Sequence, residues 1–161
     1  MADLTVTVKE EILLPNNNFQ STNNITVIKN VNQVVRRIDT IATTFSGSGV
    51  EILKFVDSEP QQVAGSFVKQ DTKYIRITHI SGSNPVELYI QKTNEESVLF
   101  ELEPKKTFML GNAEFNASQA GDYVDDGYVD ETYYSSFINF DTIKAKASGS
   151  NAQLEYFVAS S

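Results

Sequence analysis

Cysteine is absent from the 161 residues, and His79 is the single histidine. The first absence excludes disulfide cross-links, a thiolate nucleophile and cysteine-held zinc. One histidine without cysteine cannot supply the nitrogen and sulfur ligands of a zinc site. A chain without cysteine fits synthesis in a reducing cytosol. Basic residues are scarce: thirteen Lys and Arg against 21 Asp and Glu leave a net charge of −8. That argues against nucleic acid as a partner, because phosphate binding needs a basic face, and equally against an anionic membrane surface. No apolar run approaches the roughly 18 residues that span a bilayer. "MADLTVTVKEEILL" has no basic stretch followed by an apolar one, so no signal peptide is expected. There is no G-x-S-x-G, and no glycine-rich loop leads into a helix. Neither a serine nucleophile nor a phosphate cradle is therefore indicated.

What the chain has instead is alternation. "LTVTVKE" sets Leu4, Val6 and Val8 against Thr5, Thr7 and Lys9. "KYIRITHI" sets Ile75, Ile77 and His79 against Tyr74, Arg76 and Thr78, and "PVELYIQK" sets Val86, Leu88 and Ile90 against Glu87, Tyr89 and Gln91. "SVLFELE" and "QLEYFVAS" continue the theme. A period of two over five to eight residues is the mark of a half-buried strand. Residues 28–42 and "VEILKFVD" are expected strands on their β-branched content. "SGSGV", "SGSNP", "KTNEE" and "SGSN" are turn-type breakers, and "EPKK" reads as a turn before "TFMLG". In "FINFDTIKAKAS" the apolar phase slips near Asp141–Thr142, which predicts a bulge or bend.

The expected fold is thus all-β: an antiparallel sandwich of about 8–10 strands, jelly-roll-like, forming one domain over residues 1–161. The loosest segments by composition are 14–24, "LPNNNFQSTNN", and the acidic, tyrosine-rich stretch 122–136.

That second stretch, "DYVDDGYVDETYYSS", packs five carboxylates and four tyrosines into fifteen residues. Asp125, Asp126 and Asp130 could form an irregular Ca²⁺ site, but the spacing is not that of an EF-hand loop. A carboxylate pair could serve a glycosidase, given a cleft. The reading preferred here is a docking surface, because tyrosine supplies large contact area at low entropic cost. Its contact residues would be Tyr123, Tyr128, Tyr133 and Tyr134, with Asp125, Asp126 and Asp130 setting orientation against a basic partner. His79, on an apolar strand phase, is expected to be a structural or rim residue rather than a catalytic one. One of the adjacent Arg36 and Arg37 is expected to meet a carboxylate. The sequons at 24–26 and 116–118 are discounted as chance matches.

Three runs close the chain: "KYIRITHISGSNPVELYIQ", "VLFELEPKKTFMLGNAEF" and "FINFDTIKAKASGSNAQLEYFVAS". Over residues 73–161 this succession resembles small β-rich virion proteins of tailed bacteriophages. The resemblance implies a non-enzymatic structural protein without a cofactor, located in the virion and made in the host cytoplasm. Its partners would be the major capsid protein or other virion proteins, with self-association open. A capsid decoration (cement) protein is the first expectation, and a neck or tail component the second. The resemblance carries over no functional residue. From the residues themselves, a carbohydrate-binding or adhesion module using the acidic stretch and a β-barrel hydrolase remain the rivals.

Overall fold

Backbone pairing, more than side-chain pattern, sets the architecture. The structure is a computed structural model that describes residues 2–15, 19–43, 49–57, 65–91, 97–111 and 141–161. Every regular element among the described residues is a strand. In chain order they are β1 (Ala2–Leu13), β2 (Phe19–Val31), β3 (Gln33–Ile41), β4 (Val50–Val56), β5 (Ser66–Val68) and β6 (Thr72–Ser81). There follow β7 (Val86–Gln91), β8 (Ser97–Leu102), β9 (Thr107–Gly111), β10 (Thr142–Ala147) and β11 (Ala152–Ser160).

The all-β class is as expected, but the eleven strands among the described residues exceed the expected range. Two differences account for the surplus. Residues 28–42 form two strands rather than one. Asn32 interrupts them, its N–H donating to Ser160 O at 2.9 Å. Asn30 sits at φ 62°, a left-handed conformation that asparagine tolerates. The second difference is β5, whose three residues are too few to show a period. Within the stretch 14–24, residues 19–24 extend β2 without adding a strand: Asn23 and Asn24 stand opposite Lys9 and Val8, recruited by the β-branched run that follows them.

The strands form three sheets. β1 and β2 make a two-stranded ribbon; a five-stranded sheet runs β5-β4-β10-β7-β8; a four-stranded sheet runs β3-β11-β6-β9. All pairings are antiparallel except β4 with β5, which is parallel and corrects the purely antiparallel expectation. Asp141 is a bend, as the slipped phase predicts, and a bulge lies on the neighbouring strand β4. Leu53 and Glu51 pair with the consecutive residues Ile143 and Lys144, leaving Ile52 as the extra residue. Thr142 stays in register with Lys54 and Gln91, and residues 137–140 lie outside the described region.

One hydrophobic cluster draws on both larger sheets. Ile143, Ala145, Val86, Leu88 and Ile90 come from the five-stranded sheet, and Ile75, Ile77, Leu154, Tyr156 and Val158 from the four-stranded sheet. These are the same-phase residues of each strand, so alternation translates directly into one buried face per sheet. Full burial of each large aliphatic side chain contributes about 1.5–3 kcal/mol. Where the outer strands β8 and β9 end the two sheets, Phe100 and Phe108 meet with ring centroids 5.1 Å apart. Inside the same cluster region His79 is fully buried, as the expected structural role requires. Its Nδ1 lies 3.3 Å from Leu102 O, and Gly82 packs so closely that a Cβ there would fall 2.7 Å from Nε2.

Candidate interaction surface

The seven residues that the sequence singles out for partner contact are Tyr123, Asp125, Asp126, Tyr128, Asp130, Tyr133 and Tyr134. They lie outside the described residues. The surface features that are described centre instead on the ribbon and the sheet face at its root.

The ribbon holds eleven cross-strand pairs, from Ala2↔Val31 to Leu13↔Phe19. Opposed residues share a face. Leu4, Val6 and Ile28 therefore lie on one face, while Thr5, Thr7, Leu13, Phe19, Ile25 and Val27 lie on the other. The first face roots the ribbon. Leu4, Val6, Ile28 and Val31 pack on Tyr74, Phe157 and Ala159 of the four-stranded sheet. Those three residues stand on the side of β6 and β11 opposite the main core, next to one another in register (Tyr74↔Ala159). Beyond the root no described ribbon residue joins a buried cluster. Leu13 is 66% exposed, Ile25 64%, Phe19 57%, and Ile12 and Val27 are half-exposed. The ribbon is an arm.

Next to the root stands an ionic centre. Phe157 pairs across the sheet with Arg36 on one side and Arg76 on the other. Both arginines reach back along β11 to Glu155, two residues away on the same face. Arg36 Nε donates to Glu155 Oε2 at 3.0 Å, and Arg76 Nη2 to Oε1 at 2.7 Å. Glu155 is 8% exposed. Hydrogen bonding from Arg36 is the main cause that holds its carboxyl below the ordinary glutamate range, helped by Arg76 and opposed by burial. The Arg76 guanidinium also sits 5.4 Å from the Phe157 ring centroid, a cation–π distance. Tyr74 meets the same ring edge-on at 6.0 Å. The arm root and the ionic centre thus share Phe157. Around them the face carries the exposed side chains of Val34, Ile38 and Met109.

Other polar groups brace the body. Lys69 is buried between Asp57 at 2.9 Å and Asp141 at 2.6 Å. Burial works against its charge, yet the two aspartates outweigh it and its pKa is raised. This tie joins the end of β5 to the start of β10. Arg37 pairs with its neighbour Asp39 at 2.8 Å, so both adjacent arginines, rather than one, meet a carboxylate. The outer face of the five-stranded sheet carries Glu87, bonded by Tyr89 and flanked by Lys146 at 3.4 Å. Burial raises the pKa of Tyr156, with the nearby Asp39 carboxylate adding to the rise and Arg37 opposing it. No group of three or more His, Asp or Glu able to hold a metal ion occurs among the described residues.

Comparison with known proteins gives no match to any family model, curated protein or solved structure.

The arm was half-visible in the sequence. "LTVTVKE" announces β1, and "NITVI" carries the β-branched residues of its partner. What alternation could not show is that only one end of the pair packs on another sheet. Glu155 gave no sequence signal: it falls on the polar phase of "QLEYFVAS", where a solvated glutamate is the ordinary expectation.

Proposed function

We propose that this chain is a non-enzymatic structural protein of a tailed-bacteriophage particle, a capsid decoration protein that binds the major capsid protein and stabilises the head. The observation that carries the contact part of this reading is the β1–β2 arm, rooted at one end and exposing Leu13, Phe19, Ile25 and Val27 on its far face. An isolated two-stranded ribbon is marginal in water. An arm that presents Leu13, Phe19, Ile25 and Val27 to solvent gains stability when another protein covers it. In the same reading the two larger sheets are the layers of a jelly-roll-like sandwich, supported by the one cluster to which both contribute. The virion assignment is supported by the resemblance over residues 73–161. The mechanism is passive: many copies of a modest interface act together on one particle.

Heads assembled without this chain are the direct probe. The purified chain is expected to co-sediment with them, and a chain that stays in the supernatant contradicts the reading. Binding to isolated tails in place of heads would assign it to the neck or tail. Replacing Tyr123, Tyr128, Tyr133 and Tyr134 together by Ser tests the sequence-derived contact residues in the same assay; undiminished binding removes them from the interface.

A further inference from the structure

The arm and a seat for it occur on the same chain. We propose that a second copy of this protein covers the arm, in a two-fold exchange. In that arrangement the far face of each ribbon (Leu13, Phe19, Ile25, Val27) packs on the exposed Ile38 and Met109 of the other copy's four-stranded sheet. The inference rests on the reading of the arm as a docking element and names its partner.

Three observations support a second copy. The first is position. The arm root already lies on this sheet face, through Leu4, Val6, Ile28 and Val31. Val27 and Ile25, directly opposite Thr5 and Thr7, point away from the root face and stand 50% and 64% exposed. A second sheet laid over the first would enclose the ribbon on both faces. The second is the character of the seat. Beside the Arg36–Glu155–Arg76 centre, Ile38 on β3 and Met109 on β9 are 51% and 45% exposed. They share the outer face of the sheet with Arg36 and Arg76, because Ile38 pairs with Glu155 and Met109 with Arg76. The seat is therefore apolar points flanking a centre in which two guanidinium groups share one carboxylate, leaving a net charge of +1. On the ribbon's far face, Lys9 and Glu11 neutralise each other at 2.6 Å.

The third is area. Eleven rungs at ~3.3 Å each, on a ribbon roughly 10 Å wide, give one face about 350 Å². A stable interface needs about 800 Å² from each partner. A partner that merely covered the arm would fall short by about half. A second copy offers an arm and a seat at once, so the two-fold operation doubles the buried area to about 700 Å² per copy.

The test is the solution mass of the full chain, with variants at positions exposed enough to leave the fold intact. Light scattering after size exclusion is expected to give twice the 17.9 kDa chain mass for the native protein. The arm variant Ile25→Lys/Val27→Lys and the seat variant Ile38→Lys are each expected to run at the single-chain mass, with unchanged circular dichroism and melting. Mixing the two variants restores one intact arm–seat contact, so a mixed dimer is expected to reappear, weaker than the native one. A native chain that is monomeric at high micromolar concentration overturns the proposal, and so does a seat variant that still dimerises. The same variants in the head-binding assay keep the two ideas apart. A monomer that binds heads through its arm defeats the exchange and leaves the docking role standing. A dimer that ignores heads does the reverse.

Discussion

Gly49→Ala is expected to lower the stability of this protein by about 3 kcal/mol or more, read as a drop in urea midpoint. Gly49 enters β4 at φ +82°, in the left-handed region. A Cβ there would stand 2.3 Å from Ala145 O and 2.9 Å from Lys146 Cβ. The obstacle is the backbone of β10, the central strand of the five-stranded sheet, paired on both sides with β4 and β7. A backbone so held cannot yield without breaking ladder hydrogen bonds. Gly65→Ala separates the two contributions. Gly65 has φ +92°, but its nearest neighbour to a new Cβ is the tip of Arg37 at 3.9 Å. It is expected to cost about 1–2 kcal/mol, the conformational penalty alone. Equal losses at the two positions would show that the collision at β10 is relieved.

Glu155→Gln is the second large effect. The native carboxylate accepts from both Arg36 and Arg76 while nearly buried. Hydrogen bonds to charged groups contribute about 1.5–3 kcal/mol each, but Arg36 is largely exposed and solvent screens its share. A net loss of about 2 kcal/mol at pH 7 is expected. The sign of the pH dependence follows from the carboxyl's position below its ordinary range, caused first by the Arg36 hydrogen bond. Folding favours the ionised form. The contribution is present in full above the unfolded-state pKa of about 4.3 and disappears as pH falls through the lower folded-state value. The gap between native and Glu155→Gln stabilities should therefore close below about pH 4. Some acid sensitivity remains in the variant, because Glu87 is also held low, mainly by the Tyr89 hydroxyl. A gap that is constant from pH 7 to pH 3 would mean that Glu155 acts through packing rather than charge.

Much of the strand layout was legible because each strand of the two larger sheets buries one face. Val86, Leu88 and Ile90, or Ile75, Ile77 and His79, keep their sequence phase in space. The reading weakened wherever that condition lapsed. β2 has few buried residues, so its asparagines looked like loop. β5 is three residues long and takes its place by parallel pairing with β4, which leaves no periodic trace. The bulge at Ile52 buries two successive residues and so reads as a continuous apolar run. Surface chemistry was the least legible part. The exposure of Leu13, Phe19, Ile25 and Val27 depends on how little of the arm packs on another sheet, and Glu155 depends on two arginines distant in sequence. The tyrosine-rich stretch, conspicuous in the sequence, lies outside the described residues.

The central claim is that this protein works by contact and that the β1–β2 arm makes the contact. Amide hydrogen exchange of the Ile38→Lys variant, whose intact arm no second copy covers, compared free and mixed with heads assembled without this protein, tests this most directly. The account predicts slowed exchange in residues 5–13 and 19–27, with β7 and β10 unchanged. An arm that exchanges equally fast in both samples, while the outer face of the five-stranded sheet becomes protected, would contradict it.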